Sequence, residues 1–190
     1  MANRRAPFDR SPKPLGAAKL DELALAYVAR FATSRAKLLR YLARKVRESE
    51  WIDESDAMAA CEAVADRMEA LRYLDDRQYA TMRAGAMTRR GLGVRRVKAQ
   101  LYVDGIAAED SGEAIEAAES EAVAAAVGFA RRRRFGPFAV RADDDPRLRE
   151  RQVAAFARAG HSLTLARRIL AVAPGDEDAL AALDAEAALD

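Results

Sequence analysis

The chain has 190 residues, with 32 Lys/Arg against 30 Asp/Glu for a formal net charge of +2, one cysteine and one histidine. Cys61 alone excludes an internal disulfide, and with His161 it makes too small a soft-ligand set for a metal site. The longest apolar or glycine run, Ala122–Ala130, is nine residues, far short of the roughly 20 that cross a bilayer. This length suffices for a buried core, and a composition rich in Ala, Leu, Arg and Glu favours helix over strand.

Residues 1–18 hold Pro7, Pro12, Pro14 and Gly16 among charges and read as a flexible leader. A first helix is expected over 20–31, its inner stripe Leu20, Leu23, Ala24, Tyr27, Val28 and Phe31. Thr33-Ser34 caps a second at 35–48, with Leu38, Leu39, Leu42 and Val46 inward. A third covers 54–72, capped by Asp53 or Ser55, with Met58, Cys61, Val64, Ala65, Met68 and Leu71 inward. Trp51 reads as a core residue, as do Tyr73, Leu74 and Tyr79.

Asp75 caps a helix running to Arg90, with Tyr79, Met82 and Ala86 inward and Gly91 ending it in the left-handed conformation. Gly93 precedes a short helix at 94–103 with Val94, Val97 and Leu101 buried. Asp110 and Glu113 have capping-box spacing for the next helix, and a helix over 122–134 is drawn either separate from it or continuous with it. A loop over 135–146, a helix at 147–159 ended by Gly160, a Ser162-capped helix at 163–172 and an acidic tail at 176–190 complete the chain.

Charge falls in alternating blocks: residues 1–47 carry 12 Lys/Arg against 3 Asp/Glu, 48–76 carry 2 against 10, 77–103 carry 7 against 0, and 104–121 carry 0 against 7. The alternation continues to the end of the chain. It points to repeated units, each basic in front and acidic behind, and to a basic strip facing an anionic partner. Arg77-Gln-Tyr-Ala80 leading to Arg90-Gly91, Arg95-Arg96 and Leu101 parallels Arg151-Gln-Val-Ala154 leading to Gly160, Arg167-Arg168 and Leu170. The fold expected is all-α, an elongated, curved array of three tandem three-helix modules at 19–72, 73–120 and 121–173, followed by an acidic tail at 174–190.

Tyr73-Leu-Asp-Asp-Arg-Gln-Tyr-Ala80, then Arg89-Arg-Gly-Leu-Gly-Val-Arg-Arg-Val97, Leu101 and Gly105-Ile106, resemble the central signature of the RecX regulatory family. Ala24-Leu-Ala-Tyr27 with Arg30-Phe-Ala-Thr-Ser-Arg-Ala-Lys-Leu38 is similar to that family's first module, and Arg151–Leu170 to its last, so the resemblance spans about 20–172. One departure is Tyr102-Val-Asp104, where the family often has a basic residue before Gly-Ile. The resemblance implies a cytoplasmic, monomeric, non-enzymatic regulator of DNA recombination, repair and the SOS response. Such a protein binds the RecA–DNA filament and limits its growth, strand exchange and co-protease activity. Direct contact with single- or double-stranded DNA stays open, and a helical DNA-binding protein acting through its basic helices is the alternative.

The candidate partner-binding residues are the basic clusters. They are Arg35, Lys37, Arg40, Arg44 and Arg47 in the first module, and Arg83, Arg89, Arg90, Arg95, Arg96 and Lys98 in the second. In the third they are Arg131, Arg132, Arg133, Arg134, Arg167 and Arg168, the four consecutive arginines wrapping all sides of a helix. No catalytic residue, metal ligand or cofactor motif is assigned. Gly91-Leu92-Gly93 lacks the Gly-Lys-Ser/Thr and preceding strand of a phosphate loop.

Overall fold

A computed structural model describes residues 12–140 and 145–187. The described chain is overwhelmingly α-helical, and it divides into two compact units, residues 1–75 and 76–190.

The first unit runs β1 (Lys13–Leu15), α1 (Ala17–Val28), α2 (Arg35–Arg47), β2 (Ser49–Trp51) and α3 (Ala57–Ala70). Residues 1–11 of the expected leader lie outside the described residues, but its end is ordered into the fold. β1 pairs in parallel with β2, Lys13 opposite Ser49 and Leu15 opposite Trp51, and Leu15 is buried. Two three-residue strands, 36 positions apart, fall below any detectable period-2 pattern.

Helix starts follow side-chain chemistry. Ser34 accepts from the Lys37 N–H, and Asp56, one position past the expected Ser55, accepts from the Ala59 N–H. Asp53 does not cap α3. Its carboxylate accepts from the Ala17 N–H at 2.6 Å and so caps α1, whose own N-cap, Gly16, has no side chain. A Cβ on Gly16 would lie 2.9 Å from that carboxylate.

Leu20, Ala24, Leu38, Leu42, Cys61, Val64, Ala65, Met68 and Leu74 form the core, with Trp51 packed at its edge and donating from Nε1 to the Ser55 carbonyl. Three expected core residues are exposed instead: Phe31 lies beyond the end of α1, and Met58 and Leu71 sit at the two ends of α3. Tyr73 is exposed as well.

The second unit runs α4 (Asp76–Arg89), α5 (Val94–Asp104), α6 (Ala108–Ser120), α7 (Ala122–Arg133), a 3-10 turn (Gly136–Phe138), α8 (Pro146–Ala159), α9 (Leu163–Ala171) and α10 (Glu177–Ala187). α4 packs chiefly on α6, with Ala80 and Ala84 on one helix and Ala114 and Ala118 on the other in the same core cluster. Small side chains let the two backbones approach, so the buried face of α4 is Tyr79, Ala80, Ala84, Met87 and Thr88. Met82, expected inward, is exposed.

α6 starts at Ala108 with no side-chain cap, so Asp110 and Glu113 lie within the helix and do not form the expected box. The chain breaks at Glu121 between α6 and α7. The second core cluster gathers Val123, Ala126, Phe129, Ala130, Phe156, Ala159, Ala166, Ile169, Leu170 and Leu183. Gly91 and Gly160 adopt the left-handed conformations expected of helix ends, φ 71° and 94°.

The two clusters of this unit meet at a glycine contact. The Gly93 N–H donates to the Ala159 carbonyl at 2.9 Å and the Arg95 N–H to the Gly160 carbonyl at 3.2 Å. A Cβ on Gly93 would stand 2.4 Å from the Gly160 carbonyl. Beside it, buried His161 places Nε2 3.0 Å from the Gly91 carbonyl, which requires the proton on Nε2. Burial and, to a smaller degree, the nearby Arg132 charge push the imidazole pKa down, against the opposing effect of the Gly91 hydrogen bond.

Candidate protein-binding surface

In the first unit the cationic candidates lie on α2. Lys37, Arg40, Arg44 and Arg47 recur every three or four residues and therefore share one stripe. Arg35 is turned into the fold: it bridges Glu62 (2.9 Å), Asp66 and Glu69 (3.5 Å) on α3, and the contacts with Asp66 and then Glu62 raise its pKa. Arg44 lies 4.0 Å from Glu48 and 5.6 Å from the centroid of Tyr41. Tyr41 stacks on Tyr27 at 4.3 Å, and Tyr27 reaches Phe31 at 5.3 Å. This ladder of rings and cations connects α1 to α2. The positions are spread over Tyr27, Phe31 and Tyr41, so a reading of each helix alone does not find it.

In the second unit the structure separates the candidates by what they face. Arg83 Nε approaches Asp104 Oδ2 at 3.4 Å, an ion pair without hydrogen-bond alignment, while the Tyr79 hydroxyl donates to the same carboxylate at 2.8 Å and Gln100 to its other oxygen at 3.0 Å. Lys98 pairs with Glu119 at 2.8 Å. The acidic block at 104–121 therefore serves in part as internal counter-charge to the basic block before it. Arg89 and Arg90 are exposed where α4 ends, and Arg132 donates to the Arg90 carbonyl.

The arginine run does not wrap a helix. Arg131, Arg132 and Arg133 occupy the last turn of α7, where positive charge opposes the helix dipole, and Arg134 leaves the helix at φ 54°. Arg131 lies 5.0 Å over Phe138 and Arg133 5.8 Å over Phe129. Arg167 and Arg168 are exposed on α9, and Arg167 borders an apolar groove against α8 with Val153, Leu163 and Leu170.

Two of the candidates, Arg96 and Arg133, converge on a second groove, about 700 Å³, whose floor includes Leu92, Phe129, Phe135, Leu148 and Ala155. Its far wall is α8, which adds Arg151, Gln152 and Arg158. Among the described residues the lining holds four arginines and no carboxylate. Arg151 and Arg158 were not singled out by sequence as partner residues. Their signal was their place seven apart on one helix, which puts them on the same face. Asp104, the anchor of the Tyr79–Arg83–Gln100 cluster, was equally unforeseen as a structural residue.

No family model matches the chain. It is 30% identical over 167 residues to the regulatory protein RecX of Myxococcus xanthus, covering 85% of this chain and 89% of that one. It is 32% identical over 130 residues to the regulatory protein RecX of Agrobacterium fabrum, covering 68% and 69%. Its fold is similar to that of a crystal structure of regulatory protein RecX, with a TM-score of 0.59 at 16% identity over 80% of this chain and 70% of the other.

Proposed function

This chain belongs to the RecX family of regulatory proteins, and from that premise we propose that it binds the RecA nucleoprotein filament and inhibits its extension, strand exchange and co-protease activity. It acts as a cytoplasmic monomer that grips an assembly and catalyses no reaction. Its three modules, at 19–72, 73–120 and 121–173, each contribute a cationic face.

The observation that supports this most directly is the groove of the second unit, where Arg96, Arg133, Arg151 and Arg158 surround an apolar floor with no acidic residue in the lining among the described residues. Such a surface suits recognition of an anionic partner through forked hydrogen bonds and fits neither a buried nucleophile nor a cofactor cradle. Many weak contacts distributed along a repeating filament add through effective concentration, so modest individual affinities suffice.

A direct DNA binder is the second reading, favoured by the α2 stripe of Lys37, Arg40, Arg44 and Arg47 beside the stacked Tyr27–Tyr41 pair. The near-balanced net charge of +2 weighs against it, because a dedicated duplex binder carries a larger positive excess.

RecA ATPase on single-stranded DNA separates the two. The protein is expected to suppress turnover at substoichiometric ratios to RecA. Undiminished turnover at a severalfold molar excess overturns the proposal, and a steep salt-dependent DNA affinity without RecA would establish the alternative.

A further inference from the structure

Among the described residues the groove between α5, α7 and α8 has walls of one sign. Arg96, Arg133, Arg151 and Arg158 are all exposed, and none takes part in an ion pair among the described residues. This contrasts with Arg35, Arg83 and Lys98, each of which has a carboxylate partner of its own. The rim is firmly placed, because a Cβ on Gly160 would stand 2.5 Å from the Arg96 amide nitrogen.

The floor decides between kinds of anion. Leu92, Phe135, Leu148 and Ala155 offer half-buried apolar surface. The rings are badly placed as stacking platforms for bases. Phe129 is only 8% exposed, packs edge-on against Phe156 at 5.0 Å and has the Arg133 guanidinium 5.8 Å over its ring. Phe135 turns toward Phe129 in a T-shaped contact at 6.2 Å. Sequence-tolerant binding of single strands uses several open aromatic faces, whereas this floor presents one half-buried ring, Phe135, beside the enclosed Phe129. Carboxylates for the four guanidinium forks, separated by aliphatic side chains for the floor, match it in both charge and polarity.

We infer that this groove is the docking site for a short acidic peptide segment of a protein partner, one in which Asp or Glu alternates with leucine-like residues. The inference rests on the function proposed above in one respect: it assigns the groove to the protein of the RecA filament rather than to the DNA within it. Arg151 and Arg158 on α8 hold one side of the segment, Arg96 and Arg133 the other, and Leu92 and Leu148 receive its apolar side chains.

The test uses the full chain and a fluorescein-labelled Asp-Leu-Glu-Leu-Asp peptide, followed by anisotropy, with Asn-Leu-Gln-Leu-Asn and oligothymidylate as competing probes. The acidic peptide is expected to bind, the neutral one not to compete. Arg151→Glu with Arg158→Glu should weaken binding by about tenfold or more, since each reversal replaces attraction with repulsion. Arg151→Gln with Arg158→Gln should give a smaller loss, and Arg77→Glu on α4 none; unchanged far-ultraviolet dichroism certifies folding in each case. Equal affinity of the doubly reversed variant for the acidic peptide, equal binding of the neutral peptide, or displacement of the peptide by oligothymidylate overturns the inference.

The RecA ATPase assay distinguishes this failure from that of the proposed function. If the wild-type chain inhibits and the doubly reversed variant inhibits as strongly, the groove assignment falls and the function stands. If the wild-type chain leaves RecA unaffected while the acidic peptide still binds, the assignment to RecA falls together with the function.

Discussion

Asp104 stands at the end of α5 with its side chain almost fully enclosed, and three residues converge on it: Tyr79 and Gln100 by hydrogen bonds, Arg83 by charge. A buried carboxylate is tolerated only when such partners replace its lost hydration. Asp104→Ala strands the Tyr79 hydroxyl and the Arg83 guanidinium together. Arg83 is partly solvated, which moderates the loss, so the expected destabilisation is about 2–3 kcal/mol, read as a lower urea midpoint at unchanged slope.

His161 supplies a pH signature. Its folded pKa lies below the ordinary 6.5, chiefly because burial disfavours the imidazolium. The unfolded chain therefore takes up the proton first as pH falls. Stability contributed by the neutral ring is present above pH 6.5, declines as pH drops below it, and levels off once the folded ring also titrates. Thermal melts between neutral and mildly acid pH should show this decline, and His161→Gln should flatten it. An unchanged slope in that variant would assign the acid sensitivity to carboxylates instead.

Among the elements, those whose information is local were legible in advance and those whose information is distant were not. Ser34 and Ser162 begin helices as their positions implied, each accepting from the amide three residues on. Gly91 and Gly160 end helices with positive φ. Asp53 misled because its acceptor role is local in kind but distant in partner: it serves α1, 36 residues earlier. Periodicity weights large side chains and so turns Met82 inward on α4, whereas the contact with α6 is made through alanines.

The contact of Gly93 with Gly160 belongs to the same class. Each glycine reads as a helix boundary, and nothing in either stretch announces that the two boundaries touch. Their abutment makes a further expectation: Gly93→Ala should cost about 1–3 kcal/mol, since the added methyl meets backbone that cannot turn aside. Gly112→Ala is the comparison, because a Cβ there meets nothing within 4 Å. Thermal unfolding of the pair separates steric loss from a general effect of removing glycine.

Across the molecule, the alternation of charge acquires two physical meanings. Part of it closes on itself, as in Arg35 with the acids of α3 and Lys98 with Glu119. The rest remains outward, notably along the groove walls and at Arg95 and Arg96. The sequence makes the blocks visible but does not reveal which cations are spent internally, since pairing across helices depends on packing. Candidate sites were legible as classes of residue and not as a place: the groove needs α5, α7 and α8 together, and two of its four arginines stand outside the basic clusters singled out. Charge reversal at Arg95, Arg96 and Lys98 together should weaken inhibition of RecA ATPase. Retention of full inhibition by that triple variant would remove the start of α5 from the contact surface.

The lone thiol gives the first unit a chemical clock. Cys61 is wholly enclosed among Leu38, Leu42 and Val64, and burial also raises its pKa, so reagent access and ionisation are both suppressed in the native state. Disulfide reagents consequently react only as fast as that core breathes. The second unit contains no sulfhydryl, so the labelling rate reads the opening of the core around Cys61, and slowing of modification when a partner is added measures stabilisation at that core.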